Sequence, residues 1–358
     1  MRQEVRHAGQ WPLYVPMSMP GDPVFKMGLE NMLRVMATVQ AVHRLRILQI
    51  GGDQPTFPAI GTNKLDLYNA WGVRVEVGSN LTLVDKVRER LSDPPSWLDE
   101  AVSGLFQGVD VTEAVEFDPN VPKTAALLLY GMLEMIQEKK CAAATARCWS
   151  EVLTALKTMM CFDLGQLNDW DLPTACETDI YGTISMVMLA AASLGENKPF
   201  FLDNTITLEN GDICFWHCGP ICRSCWREGC EAKLREGWIL QEPGAGYIHV
   251  PCLEIGDTVT LCRVSTDMNG ALVTVTHEAK VVDGPDTRGT YFYIRVKDWP
   301  AYERELMNAP VVHHWALVRG SYMHSIHQAA GLLGMRCTVL NDGLDEINAR
   351  IECRAARG

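Results

Sequence analysis

Two acids and two histidines, each embedded in an apolar run, stand out in the second half of the chain. Glu177 lies in Ala-Cys-Glu-Thr-Asp-Ile-Tyr-Gly, Asp203 in Pro-Phe-Phe-Leu-Asp-Asn-Thr, His217 in Cys-Phe-Trp-His-Cys-Gly-Pro and His314 in Val-Val-His-His-Trp-Ala-Leu. A bare carboxylate in such surroundings costs several kcal/mol or takes up a proton, so these acids need partners. Two carboxylates with imidazoles, and positions left open for substrate oxygens, suit Mn2+ or a similar divalent ion. The work expected of such a centre is sugar chemistry.

Each of these residues also has a plainer reading. Glu177 precedes the apolar run that begins at Ile180, where an acid is favoured by the unpaired N–H groups and dipole of a helix N-terminus. Asp203 could cap a turn with Asn204. A lone histidine such as His217 is more often a satisfied core residue than a ligand. The pair His313-His314 is rarer. Adjacent strand residues point to opposite faces, so one ring could face a metal and the other a substrate or a supporting group. For His324 and His327, three apart on an expected helix, the core reading is favoured. Cys222-Arg223-Ser224-Cys225, with Cys218 and Cys230 nearby, has a zinc-knuckle spacer but lacks a second such pair, so structural zinc is the weaker reading. Gly51-Gly52 and Gly244-Ala245-Gly246 lack the lysine and hydroxyl of a phosphate loop and read as turns. Lys86, Arg88 and Arg90, interleaved with Asp85 and Glu89, read as a solvated helix face.

These residues must be positioned by a chain of 358 residues, long enough for about two domains. With 47% hydrophobic and 21% charged residues it is a well-buried globular protein. A net charge of -12 argues against a nucleic-acid partner, which needs a basic face. A small neutral carbohydrate is compatible with it. The N-terminus shows no secretory pattern, and the longest apolar stretch, residues 184–194, is too short to span a bilayer. The 13 cysteines read as buried thiols rather than a disulfide framework. A cytoplasmic protein with no membrane partner is expected.

Apolar spacing predicts helices over 25–43, with Phe25, Leu29, Leu33, Met36 and Val39 on one face, and over 65–70, 81–91, 112–117 and 123–140. Strands are expected at 46–52, 72–77 and 142–149. This alternation implies a doubly wound parallel α/β layer. After Asp203, strands at 206–208, 213–217, 245–250, 258–264, 271–280 and 290–296 run with little helix until 322–333, an antiparallel β-barrel-like domain. The division is placed at residues 1–198 and 199–358. Glu177 then falls in the first domain and the other three in the second, with the site at the junction.

The runs around Glu177, Asp203 and His217, followed by Gly256-Asp257-Thr258-Val259-Thr260-Leu261-Cys262-Arg263 and His313-His314, resemble in order the L-fucose isomerase/L-arabinose isomerase superfamily. The resemblance covers roughly residues 45–345 and implies that residues 1–198 match the second domain of fucose isomerase. It further implies that Glu177, Asp203 and His314 are metal ligands, that His217 matches an additional histidine ligand of the arabinose branch, and that Mn2+ or another divalent metal is the cofactor. His313, Trp216 and Tyr181 are then substrate-side candidates. Family members carry a further N-terminal domain that helps close a neighbouring subunit's pocket, so a homo-oligomer, or a complex with a second polypeptide, is expected. The lead-in around Trp11, Leu13, Tyr14 and Val15 is a candidate cover for part of the exposed surface.

The expected reaction is aldose–ketose isomerisation. A divalent metal stabilises the enediolate, and Glu177 and Asp203 exchange the proton, their pKa values pushed apart by mutual proximity. A lyase, epimerase or glycoside-cleaving enzyme, or a partner-dependent non-catalytic subunit, would use the same scaffold.

Overall fold

The computed structural model describes residues 18–149, 151–239, 242–296 and 298–340. The lead-in residues Trp11, Leu13, Tyr14 and Val15 lie outside them. In the first half, strands β1 (Arg46–Ile50), β2 (Arg74–Gly78), β3 (Val109–Asp110), β4 (Ala143–Ala146) and β5 (Thr174–Cys176) alternate with helices. β2-β1-β4-β5, in that order, form a sheet in which every pairing is parallel. The carboxyl ends of these strands share one edge, the edge where ligands bind in doubly wound sheets.

The second half contains β6 (Pro199–Thr207), β7 (Ile213–His217), β8 (Ala232–Ile239), β9 (Glu242–Pro251), β10 (Thr258–Thr266), β11 (Leu272–Val282), β12 (Thr290–Arg295), β13 (His314–Arg319) and β14 (Arg336–Val339). The antiparallel run β11-β10-β13-β6-β7-β12 closes on itself because β12 also pairs with β11. Closure leaves no unpaired edge in this ring. β14 and β9 add parallel strands to β11 and β12. β8 pairs antiparallel with β9, and β3, from the first half, pairs parallel with β8.

Helix Ile180–Ala192 is the hinge of this arrangement. It is apolar on nearly every side, because it packs at once on β4 and β5, on helix Pro23–Val42 and on β10 and β13. Asp179 caps its first turn, and directly before that cap the chain passes through Glu177. No helix among the described residues is long and apolar enough to cross a membrane.

Several expected elements differ in detail. Helix Pro23–Val42 forms, but with the opposite face inward: Gly28, Arg34, Val35, Thr38 and Val42 are buried, whereas Leu29, Leu33 and Met36 are exposed. Small and β-branched residues allow close approach to helix Ile180–Ala192, and the larger apolar side chains are left outside. The strand expected over 142–149 ends at Ala146, since Arg147 leaves the sheet to pair with Glu151. β6 begins at Pro199 and runs through Asp203, which is therefore a mid-strand residue and not a turn cap. Helix Trp299–Asn308 interrupts the β region, with Asp298 accepting from the Ala301 N–H at 3.0 Å. The spacing did not reveal it, nor helices Leu98–Leu105, Glu151–Leu156 and Cys161–Asp169.

Candidate active site

After β5 the backbone passes through Glu177 at φ 63° and Thr178 at φ 58°. Left-handed backbone at residues bearing a Cβ costs on the order of 1–3 kcal/mol each. The turn is held by the Thr178 N–H on Ala146 O at 3.3 Å and the Asp179 N–H on Cys176 O at 3.2 Å. It places the Glu177 carboxylate at the carboxyl edge of the parallel sheet, facing the barrel.

The barrel supplies the remaining groups from three neighbouring strands. Asp203 of β6 stands directly opposite His314 of β13 on one side and Trp216 of β7 on the other. Directly opposed residues bring side chains within contact distance. Phe201, two residues before Asp203 along β6, lies beneath both imidazoles, with ring centroids 5.1 Å from His314 and 6.1 Å from His217. Phe57, in the loop after β1, closes the other side at 5.9 Å from His314 and 5.4 Å from His313.

These elements converge four donor atoms. His314 Nε2 is 3.1 Å from Glu177 Oε2 and 3.8 Å from Asp203 Oδ1, and His217 Nε2 is 4.0 Å from the same Asp203 oxygen. Donors about 2.1 Å from one octahedral ion are separated by about 3.0 Å (adjacent) to 4.2 Å (opposite), and each of these three separations falls in that range. Glu177 Oε2, Asp203 Oδ1, His217 Nε2 and His314 Nε2 are all buried and lack a hydrogen bond of good geometry. Orphaned buried polar atoms are costly, and here they stand in a chain of close pairs, Glu177 to His314, His314 to Asp203 and Asp203 to His217. Two carboxylates and an imidazole are ligands that Mn2+ or Mg2+ accepts. Cys176 Sγ also lies within 4.8 Å of Glu177 and His217 ligand atoms, and His313 stands in the same relation to Asp203 and His314.

The electrostatics favour positive charge. Burial raises the Glu177 carboxyl, but the His314 contact and the charges of His217, His314 and His313 outweigh it and hold it below the ordinary range. Burial would lower His314, yet the contacts with Asp179 and Glu177 and the charge of Asp203 push it up to about 9. Asp179 is fully buried and is held well below the usual carboxylate range by Arg263 and His314, against the effect of burial. For His217 two influences conflict. Nearby carboxylates favour an imidazolium, whereas Nδ1 accepts the Cys218 N–H at 2.9 Å. The amide decides it, because a second ring proton would set N–H against N–H.

The residues singled out in the sequence are thus only partly gathered. Glu177, Asp203, His217 and His314 meet, and His313 joins them. The two histidine rings do not point to opposite faces. His313 precedes β13 and escapes its alternation, so its ring lies 4.3 Å from that of His314. Trp216 lies beside His217, its indole N–H donating to Arg288 O at 2.5 Å. Tyr181 is buried in the core, and burial raises its hydroxyl pKa. Among the described residues, Cys218, Cys222, Cys225 and Cys230 form no metal-capable group, and the Cys222 thiol instead donates to Pro199 O at 3.0 Å.

Sequence reading missed Phe57, Cys176, Asp179 and Arg263. Cys176 and Asp179 carried a signal in their place in the Glu177 motif, and Arg263 in closing the run from Gly256, whereas Phe57 carried none. A cavity of about 230 Å3 opens beside the Glu177 turn, lined by Gln54, Phe57, Ile60, Thr62, Thr178 and Ile180. A larger one of about 710 Å3, between Trp97, Tyr130 and Trp170, shares no residue with the cluster. The converging titratable atoms, not the volume, mark the site.

No family model matches the chain. It is similar to a sulfoquinovose isomerase of Alkalicoccus urumqiensis, 29% identical over 322 residues that make up 88% of this chain and 69% of that protein. Sulfoquinovose isomerases of Priestia aryabhattai and Priestia megaterium are 28% identical over 326 residues, 89% of this chain and 70% of theirs.

Proposed function

Starting from the aldose–ketose isomerase superfamily of fucose, arabinose and sulfoquinovose isomerases, to which the chain belongs by homology and fold, we propose that Glu177, Asp203 and His314 hold a divalent ion, Mn2+ first among them, and that sulfoquinovose is the sugar isomerised. The protein is a metal-binding sugar isomerase of the aldose–ketose type. The convergence of four buried, unsatisfied donor atoms at the sheet edge carries the reading of the site.

When bound, the ion would supply Lewis-acid stabilisation for negative charge developing on two adjacent sugar oxygens. The chain's own residues do the rest. Glu177 and Asp203 both reach the cleft, with 12% and 14% of their side chains exposed, so each can touch a sugar while staying shielded from bulk water. Glu177, held ionised by its imidazole neighbours, is the base that removes the proton from one of the two adjacent carbons and returns a proton to the other. Asp203 then carries the complementary proton between the oxygens. Phe57 and Phe201 exclude water from around the imidazoles, which strengthens every charge interaction there.

Self-association is part of the proposal. Leu29, Leu33 and Met36, at i, i+4 and i+7, leave an exposed apolar strip on helix Pro23–Val42 that a second copy could cover.

Metal-stripped and Mn2+-loaded protein should be incubated with sulfoquinovose, and separately with fucose and arabinose, in D2O under NMR. Ketose formation with deuterium entering at C1 of the ketose, only in the loaded sample, is expected. Loaded protein that turns over fucose or arabinose but not sulfoquinovose overturns the substrate. Equal turnover by stripped protein overturns the metal.

A further inference from the structure

The two imidazoles of the cleft are held in opposite senses. His314 presents Nδ1 to Asp179 Oδ2 at 2.9 Å, and the same carboxylate oxygen takes the Arg263 guanidinium. Asp179 Oδ1 separately accepts the Gly182 N–H at 2.8 Å, which is all that capping the helix requires. An ionised carboxylate only accepts, so Nδ1 keeps its proton towards Asp179, and it is Nε2 that gives up its proton to an incoming ion and turns a lone pair towards Glu177 and Asp203. At His217 the order is reversed. Nδ1 accepts the Cys218 N–H at 2.9 Å, and a backbone N–H only donates, so the ring proton sits on Nε2, towards Asp203.

Asp179, Arg263 and His314 are all fully buried. Burying an ion pair costs desolvation, and a neutral cap would have started the helix equally well. What the pair adds is a fixed ring orientation and tautomer, as carboxylates do behind metal-binding imidazoles.

Resting on the metal reading above, we propose that Asp179, anchored by Arg263, is a positioning residue that makes His314 the imidazole ligand of the divalent ion, while the Cys218 amide reserves His217 as a hydrogen-bond donor to Asp203 or to a sugar oxygen. His217 is thereby removed from the ligand set that the family resemblance implied.

The test reads metal affinity, not turnover. Mn2+ is titrated into metal-stripped wild type, Asp179→Asn, Asp179→Asn/Arg263→Met and His217→Gln, with free Mn2+ followed by EPR and the melting of each metal-free protein measured alongside. In Asp179→Asn the amide oxygen can keep the cap, but its NH2 then faces His314 Nδ1 and drives the ring proton to Nε2. The double variant removes the buried cation together with its partner and keeps the protein folded even if the single variant does not fold. Both Asp179 variants should bind Mn2+ about 10–100-fold more weakly, the effect of losing support behind a ligand. His217→Gln should change the affinity by less than that. Wild-type affinity in the double variant overturns the proposal, as does a loss at His217→Gln as large as at Asp179. A lower melting temperature with unchanged affinity assigns Asp179 a purely structural role and also overturns it. Wild type that binds no Mn2+ removes the metal reading itself.

Discussion

Binding an ion at His314 has to displace a proton, so the number of protons released reports which imidazoles take part. The Asp179 and Glu177 contacts overcome the effect of burial and bring His314 up to about 9. At pH 7 the ring is then roughly 99% protonated, two pH units below its pKa, and baring Nε2 costs about 2.7 kcal/mol at 1.36 kcal/mol per unit. Affinity for the ion should therefore be about 50-fold weaker at pH 7 than at pH 9, with log Kd falling by nearly one for each unit of pH below about 8. Stability of the metal-free protein follows the other sign. The raised His314 contributes stability that is fully present below about 6.5 and lost as pH rises through about 9. The assay is Mg2+ or Mn2+ titration by calorimetry between pH 6.5 and 8, in pairs of buffers with different ionisation enthalpies. One proton released per ion is expected. A pH-independent Kd would mean that His314 is not a ligand, or is already neutral, and would refute the electrostatic argument. Two protons released would show both imidazoles binding, against the opposed tautomers.

Glu177→Gln and Asp203→Asn should each lower turnover by about 100-fold or more while keeping the fold, because the amide preserves volume but accepts no proton; near-normal activity in variants shown to retain metal would refute the acid–base assignment. His277 is buried beside Tyr302 (ring centroids 4.9 Å apart), and burial lowers it to about 4. Stability should fall by about 3 kcal/mol as pH drops from about 6.5 through about 4, and His277→Leu should abolish that increment in urea unfolding at pH 7 and 4.5; parallel losses in both proteins would contradict it. Gly165 lies so close beneath the Ile221 carbonyl that an added Cβ would collide with it, so Gly165→Ala should destabilise by about 1–3 kcal/mol. An unchanged melting temperature there would show that the packing of helix Cys161–Asp169 yields.

Residue chemistry and short-range pattern carried much of this protein into view. The acids and histidines in apolar runs were legible because a buried charge without a partner is so costly that its presence announces one. The parallel α/β layer and the later β strands were legible because periods of 3.6 and 2 residues are local properties of the backbone. Two kinds of fact were not local. Which face of helix Pro23–Val42 turns inward depended on close approach to a helix some 150 residues away, so the larger apolar residues, the usual guide, ended outside. The tautomer of His314 depended on a group that no spacing joins to it, Asp179, 135 residues earlier in sequence, and only the barrel register sets Asp203 opposite that ring. Sequence determines which side chains can donate, accept or ligate. Only the closed barrel and the capped helix decide which atom of each points into the cleft, because a hydrogen bond is directional and its partner is chosen in space.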